Sequence, residues 1–281
     1  ACALGQRGYR VVLAEAGREL GGRVSRESRL PGLAEWARVR DWRLGQLAKM
    51  SNVEIYPDNR LDADAVLGLD CQRLLLATGS HWRLDGVGQW RKTAFEGWQA
   101  DRVIAVDSIL DGFTPKGPVV IYDDDHYYLG SAIALKLRAD DIAVTLVTPR
   151  ATPADWSRFT DEHGQIMAAM ISAGVELISA KGLVAIADGE VELECVYSGN
   201  RRRLECESLI PLSARIPDDS LWHELQARSA EFEAGGGLGM QRIGDCMAPG
   251  IIAAAVYSGH KAARELGADA VLVKRDRPVV N

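Results

Sequence analysis

The sequence lacks three features that define large classes of protein. It has no run of about 18 apolar residues, so no segment is long enough to span a membrane as a helix. It has no Cys-x-x-Cys pair and no His at ligand spacing from a Cys, so its scattered thiols indicate neither a metal site nor a disulfide framework. It has no excess of basic residues, with 33 Lys and Arg against 39 Asp and Glu, which excludes the basic footprint of nucleic-acid binding. We therefore expect a cytoplasmic protein that uses neither a membrane nor a nucleic acid as a partner.

The sequence also begins without a Met and without a signal peptide. Residues 1–7 are typical of a helix end, Gly8 of its cap, and residues 9–15 of an apolar strand that ends on Glu15. This order is the second half of a βαβ dinucleotide unit, in which an acid at the strand end binds the ribose hydroxyls of an adenosine. The first strand and the Gly-x-Gly-x-x-Gly loop, about 20 residues before such an acid, are not in the sequence, so we expect a fragment.

A second βαβ unit follows in the middle of the chain. Residues 117–122 indicate a strand, residues 131–138 a helix and residues 142–147 the next strand. The loop from Asp123 to Gly130 stands where a phosphate-binding loop belongs. It contains one glycine and three carboxylates, and like charges repel an anion. We therefore predict that this unit does not bind NAD(H).

A β-hairpin completes the pattern of the inserted part. Alternating runs around residues 191–197 and 203–210 flank Ser198-Gly199-Asn200, which is typical of a hairpin turn. The whole order, with Glu15, Ala77-Thr78-Gly79 and Ile243-Gly244-Asp245 at strand ends, resembles the two-dinucleotide-domain flavoproteins. This resemblance implies an α/β protein of two Rossmann-like domains of the FAD- and NAD(P)-binding type, one inserted in the other. The outer domain would lack its first strand and its Gly-rich loop. We expect the outer, FAD/ADP-binding type domain over residues 1–114 and 213–281, and the inserted NAD(P)-binding-like domain with its degenerate loop over residues 115–212.

Four short motifs occur in an order that resembles one flavoprotein family. The motifs are EAGRELGGRV from Glu15, LPGLAEW from Leu30, ATGSHW from Ala77 and IGDCMAP from Ile243. The last two each stand at the end of an apolar strand, and a helix follows the last one. In this order and spacing they resemble the C-terminal half of the trimethylamine, dimethylamine and histamine dehydrogenase family.

The resemblance implies a larger enzyme. In that family an N-terminal (β/α)8 barrel carries covalently linked FMN and a 4Fe-4S cluster, oxidises an amine and passes the electrons to an electron-transfer flavoprotein or similar carrier. The C-terminal part, which this chain resembles, holds ADP in trimethylamine dehydrogenase and FAD in the related dienoyl-CoA reductases. The implied partners are therefore the barrel of the same polypeptide, the electron carrier and a second copy in a homodimer.

The resemblance also assigns nucleotide contacts to this chain. Glu15 would hold the adenosine ribose, Arg23 would lie near the nucleotide, Trp36 would flank it, and Asp245 would help to close the site. The implied cofactor-binding residues are Glu15, Ala16, Gly22, Arg23, Trp36, Ala77, Thr78, Gly79, Gly244 and Asp245. No catalytic and no metal-binding residue is implied here, and the five His residues are interpreted as structural.

Two other functions remain open at this stage. The chain could be the tail of an NAD(P)H-dependent flavoenzyme similar to 2,4-dienoyl-CoA reductase, although its acidic second loop departs from that branch. It could also be a stand-alone nucleotide-binding module without chemistry. Reduction of the flavin by NAD(P)H would distinguish the first alternative, and nucleotide binding without redox activity would indicate the second.

Overall fold

The computed structural model describes residues 1–267, which form a mixed α/β fold of short elements. The helices are α1 (Cys2–Gln6), α2 (Arg23–Glu27), α3 (Ala37–Leu47), α4 (Ala63–Leu67), α5 (Val106–Leu110), α6 (Leu129–Ala139), α7 (His163–Ser172), α8 (Ser220–Ala227), α9 (Ser229–Ala234) and α10 (Ile252–Glu265). The strands are β1 (Val11–Ala14), β2 (Val53–Tyr56), β3 (Arg73–Leu76), β4 (Ser80–Trp82), β5 (Val119–Asp123), β6 (Val144–Val147), β7 (Glu176–Ile178), β8 (Lys181–Ala187), β9 (Glu190–Cys195), β10 (Arg201–Glu205), β11 (Ser208–Leu212), β12 (Arg215–Pro217) and β13 (Gly239–Arg242). None of the helices within the described residues is both long enough and apolar enough to cross a membrane.

Packing divides the chain into two compact units. The first contains Ala1–Leu20, Val39–Gly79 and residues 217–267, and the second contains Gly21–Arg38 and Ser80–Ile216. Residues 21–38 and 80–114, which the sequence assigned to the outer domain, therefore pack within the second unit. The cause is apolar contact, because Leu30 and Ile109 belong to the same buried cluster as Ile121 of β5.

The second unit is built on a parallel sheet of order β11-β5-β6-β7. Every residue of β5, β6 and β11 is buried, as expected for parallel strands that are covered on both faces. Side chains alternate between the faces, so that Ile121 packs in the cluster of Ile133 from α6, while Tyr122 packs in the cluster of Leu183 from β8. This sheet fixes the position of the acidic loop that follows β5.

The predicted hairpin is confirmed, but the predicted extent of its second strand is wrong. β9 and β10 pair in antiparallel register, with Arg201 opposite Glu194. The sequence pattern predicts one strand over residues 203–210, whereas the structure has two strands that are separated near the buried Cys206. Beyond that point Ser208–Leu212 leaves the hairpin and pairs in parallel with β5.

The strands of the first unit are much less covered. β1 pairs in parallel with β2, and β3 pairs in parallel with β13. Within residues 1–267, each of these four strands has that one partner. No residue of β1 is buried although all four are apolar, and Val12 is 50% exposed. One cluster of buried residues in this unit lies around α4 and α8, where Val66, Leu76 and Leu225 pack together.

Candidate nucleotide-binding site

Glu15 lies directly after the carboxyl end of β1. Its backbone N–H donates to the Tyr56 carbonyl at 3.0 Å and so extends the pairing with β2. Its side-chain Oε1 accepts a hydrogen bond from the Gly17 N–H at 2.9 Å. Among residues 1–267 the carboxylate has no other hydrogen bond, so Oε2 keeps its full capacity to accept. An anchored strand-end carboxylate with one open oxygen fits a pair of ribose hydroxyls. The adjacent Ala16 is exposed, and its side chain has no polar group that would compete for these hydroxyls.

The segment Ala77-Thr78-Gly79 lies after the end of β3. The Thr78 hydroxyl donates to the Asp218 carbonyl, and the Asp218 N–H donates to the Gly79 carbonyl at 3.0 Å. The Cys246 thiol lies 3.5 Å from the same Asp218 carbonyl. Gly79 has φ +86 and open space around its α-carbon, which suits a close approach of a ligand to the backbone. One carbonyl therefore joins the loops that follow β3 and β13.

Gly244 and Asp245 form the turn between β13 and the helix α10. The Gly244 N–H donates to the Ser258 hydroxyl at 2.9 Å, which fastens the turn to the helix. Asp245 Oδ1 accepts from the Gly250 N–H at 3.0 Å and orders the approach to the helix N-terminus. Such a terminus attracts anions, because its N–H groups and its dipole are positive. Glu15, Thr78 and Asp245 thus all follow carboxyl ends of strands in the first unit, the usual position of ligands in α/β sheets.

Three predicted contact residues lie in the second unit. Gly22 has φ +52 and precedes α2, and Arg23 Nε pairs with Glu27 Oε1 at 2.8 Å. The Tyr128 hydroxyl donates to Glu27 Oε2 at 2.6 Å, and Trp36 meets the Tyr128 ring edge-on at a centroid distance of 4.3 Å. The structure therefore links Arg23 directly, and Trp36 through Tyr128, to one buried carboxylate. A contact of these three residues with a nucleotide stays a prediction.

In the degenerate loop of the second βαβ unit, the acidic side chains contact other groups of the chain. Asp124 accepts from the Trp90 N–H at 2.9 Å and pairs with His126 Nε2 at 3.1 Å, and all of its side chain is buried. The His126 N–H donates to Asp123 Oδ1 at 2.9 Å. A Cβ atom at Gly88 would overlap Asp124 Oδ2, so the segment that contains Trp90 covers this carboxylate closely. The loop presents buried carboxylates where a dinucleotide domain would present N–H groups to phosphate.

Two carboxyl groups of this loop are shifted toward the protonated form. Burial raises the pKa of Asp125 to about 7, and the charge of Asp123 adds to the shift while Arg23 opposes it. Burial also raises the pKa of Asp123 to about 6, against the opposing effect of His126. Desolvation disfavours the charged form of an acid, and a second carboxylate disfavours it further.

Sequence reasoning missed three residues that organise these loops. Glu27 is fully buried, and its only sequence signal was the spacing of four from Arg23, which suits a helical ion pair. Trp90 and Ser258 gave no signal, because each meets a partner that is distant along the chain. Among the described residues, no group of three or more His, Cys, Asp or Glu side chains is arranged to hold a metal ion.

The comparisons with known proteins give a consistent set of relatives. No family model matches the chain. The dimethylamine dehydrogenase of Hyphomicrobium sp. (strain x) is 30% identical over 287 residues, covering 93% of this chain and 39% of that protein. The solved histamine dehydrogenase from Rhizobium sp. 4-9 has a TM-score of 0.90 and 40% identity, covering 96% of this chain and 42% of that one. The 6-hydroxypseudooxynicotine amine oxidase of Pseudomonas geniculata N1 has a TM-score of 0.91 and 36% identity, covering 95% and 40%.

The chain therefore spans 39–42% of the length of these relatives. More distant structures bear on the fold alone. The thioredoxin reductase of T. acidophilum is 13% identical, with a TM-score of 0.54 over 92% of this chain. Together with similar neighbours it confirms the predicted class, a mixed α/β fold of the FAD/NAD(P) disulfide-reductase type.

Proposed function

Because this chain belongs to the dimethylamine and histamine dehydrogenase family and matches the C-terminal part of its members, we propose that it is the nucleotide-binding part of a flavin-dependent amine dehydrogenase. The observation that carries the proposal is the identity of 40% to a histamine dehydrogenase, sustained over nearly the whole chain. The ordered strand-end residues of the first unit support it independently. No catalytic residue is assigned to this chain.

The site in the first unit fits ADP, or the ADP half of FAD. In this proposal Glu15 accepts hydrogen bonds from the ribose hydroxyls through its open carboxylate oxygen. The backbone at Thr78 and Gly79 lies along the nucleotide, since the Thr78 hydroxyl is already engaged by the chain. The turn at Gly244 and Asp245 directs the N-terminus of α10 toward the phosphates. The nucleotide has a binding and structural role, and its ribose and phosphates meet groups that the fold already holds in place.

We further propose that the sheet of the first unit takes another strand between β1 and β3. Each of these strands has one partner among the described residues, and an apolar strand such as β1 is normally covered on both faces. The fully buried β5 and β6 of the second unit show the contrast. The same proposal keeps the second βαβ unit, within residues 115–212, as the inserted domain and assigns no NAD(H) to its acidic loop.

The chemistry is assigned to the remainder of the polypeptide. An FMN and a 4Fe-4S cluster in a barrel domain would supply the electron transfer from the amine, with an electron-transfer flavoprotein as the acceptor and a homodimer as the assembly. The residues of this chain bind the nucleotide and support that barrel.

Identification of the nucleotide tests this assignment directly. The full-length protein is purified and denatured, and the released small molecules are separated and identified. We expect ADP or FAD in a stoichiometric amount besides the flavin of the barrel. A protein that releases neither of them, and binds neither when they are added, would contradict the proposed site.

A further inference from the structure

The second unit buries a cluster of carboxylates. Asp123, Asp124 and Glu27 are completely buried, and Asp125 is partly buried beside them. Three of these acids belong to the loop after β5, while Glu27 comes from α2. Burial of an uncompensated charge is costly, so a protein normally pairs such a group or neutralises it.

Two of the four carboxylates have both a hydrogen-bond donor and a basic side chain within contact distance. Asp124 accepts from a backbone N–H in the Trp90 segment and pairs with the buried His126. Glu27 pairs with Arg23 at 2.8 Å and accepts from the Tyr128 hydroxyl at 2.6 Å. The basic side chains in these contacts are Arg23 and His126.

The other two carboxylates are left short of partners. Asp123 Oδ1 accepts from the His126 N–H, but Asp123 Oδ2 is buried without a hydrogen-bond partner within residues 1–267. Asp125 faces the negative Asp123 and Glu27 as well as the positive Arg23 and His126. Its other titratable neighbours are the phenols of Tyr127 and Tyr128. A proton on this pair of acids removes the excess charge.

The carboxylate cluster joins two parts of the second unit. The segment Gly21–Arg38, which we call the docking segment, contributes Arg23, Glu27 and Trp36, and the loop Asp123–Tyr128 contributes the rest. We propose that the docking segment is held on this loop with uptake of a proton, so that it is held less firmly as the pH rises. This inference rests on the cluster itself and does not depend on the proposed nucleotide.

The direction of the pH dependence follows from the acids. In the closed cluster the pKa of Asp125 is raised from an ordinary value of 3.8 to about 7, mainly through burial. A group whose pKa is higher in the closed state stabilises that state. The stabilisation is complete when the pH is below the ordinary pKa of the group, and it is lost as the pH rises through about 7. Asp123 changes in the same direction, with a pKa raised to about 6. One linked proton changes the opening equilibrium by about tenfold for each pH unit in this window.

Hydrogen exchange of the full-length protein measures this opening. After correction for the intrinsic pH dependence of exchange, we expect the protection of amides in Gly21–Arg38 to fall by about 100-fold between pH 5 and pH 7 and to level off above about pH 8. The Asp125→Asn variant keeps a neutral side chain of the same shape, so its protection should lose most of this dependence. Asp101→Asn removes an exposed carboxylate of the same unit and should keep the wild-type profile.

Two results would overturn the inference. One is hydrogen-exchange protection of the amides in Gly21–Arg38 that does not vary with pH, or that varies with the concentration of a metal cation instead of with pH. The other is an Asp125→Asn variant with an unchanged pH profile. If that variant does not fold, the infrared band of protonated carboxyl groups in the wild-type protein decides, because it must be present near pH 6 and disappear near pH 9. A spectrum without this band at the lower pH also contradicts the inference.

Discussion

In the proposed nucleotide site of the first unit, we expect binding to depend most on Glu15. We expect Glu15→Gln to weaken the binding of ADP by about 10- to 100-fold, because a hydrogen bond to a charged acceptor contributes about 1.5–3 kcal/mol. Calorimetric titration of the full-length protein, stripped of its nucleotide, measures the change. Glu233→Gln is the matched control, since Glu233 is exposed in the same unit. Equal affinities for the two variants would remove Glu15 from the site.

The buried Glu27 has a structural role that can be measured separately. Glu27→Ala leaves the Arg23 guanidinium without its carboxylate, and breaking a buried ion pair costs about 3–5 kcal/mol of unfolding free energy. Tyr128→Phe removes only the hydroxyl that donates to Glu27 and should cost about 1.5–3 kcal/mol. Urea unfolding of the two variants and of the control Glu233→Ala gives these values. A loss for Glu27→Ala no larger than that of the control would show that the pair contributes nothing.

Much of the candidate site could be predicted from single residues and their order. The acid at Glu15 and the Gly-Asp pair at 244–245 follow apolar strands, and the structure has β1 and β13 at those points. The partners of these residues could not be predicted. Ser258 meets Gly244 from 14 residues away, within α10, and Trp90 meets Asp124 from 34 residues away, so both contacts depend on the path of the folded chain.

At the scale of elements, the segment before Trp90 and the loop after β5 form one closely packed pair. A Cβ atom at Gly88 would overlap the Asp124 carboxylate and lie 3.0 Å from the Ser213 Cβ. We therefore expect Gly88→Ala to destabilise the protein by about 1–3 kcal/mol through overpacking. Thermal unfolding of the full-length protein measures the effect.

Gly164 provides the control for this substitution. It lies in α7 of the same unit with open space around its α-carbon, so Gly164→Ala should be neutral or stabilise the helix by up to about 1 kcal/mol. A Gly88→Ala protein as stable as Gly164→Ala would mean that the loop does not pack on Asp124 in solution.

The elements differ in how well their sequence predicts them. β5 and β6 are mostly apolar, which is typical of buried parallel strands, and both are confirmed. The run 203–210 contains parts of two strands that belong to different sheets, because Ser208–Leu212 pairs in parallel with the edge of β5. Pairing between distant strands decides this division, and a local pattern of apolar residues contains no information about it.

At the scale of the whole molecule, the uneven burial of the two units has a measurable consequence. The apolar β1 is open to solvent, whereas the parallel strands of the second unit are covered. We expect the chain expressed alone to bind an apolar fluorescent dye and to bind ADP more weakly than the full-length protein, because exposed apolar surface favours loosely packed states. Cooperative unfolding of the isolated chain, with the affinity of the full-length protein, would contradict the proposed additional strand.

The proposed function predicts which compound donates electrons to the full-length protein. Stopped-flow spectroscopy of the full-length protein, mixed in turn with secondary or tertiary amines, histamine, NADH and NADPH, measures which compound reduces the flavin. We expect an amine to bleach the flavin absorbance rapidly and both nicotinamides to leave it unchanged, since the acidic loop after β5 buries carboxylates where a phosphate would bind. Rapid bleaching by NADH or NADPH, with no reduction by any amine, would contradict the assignment.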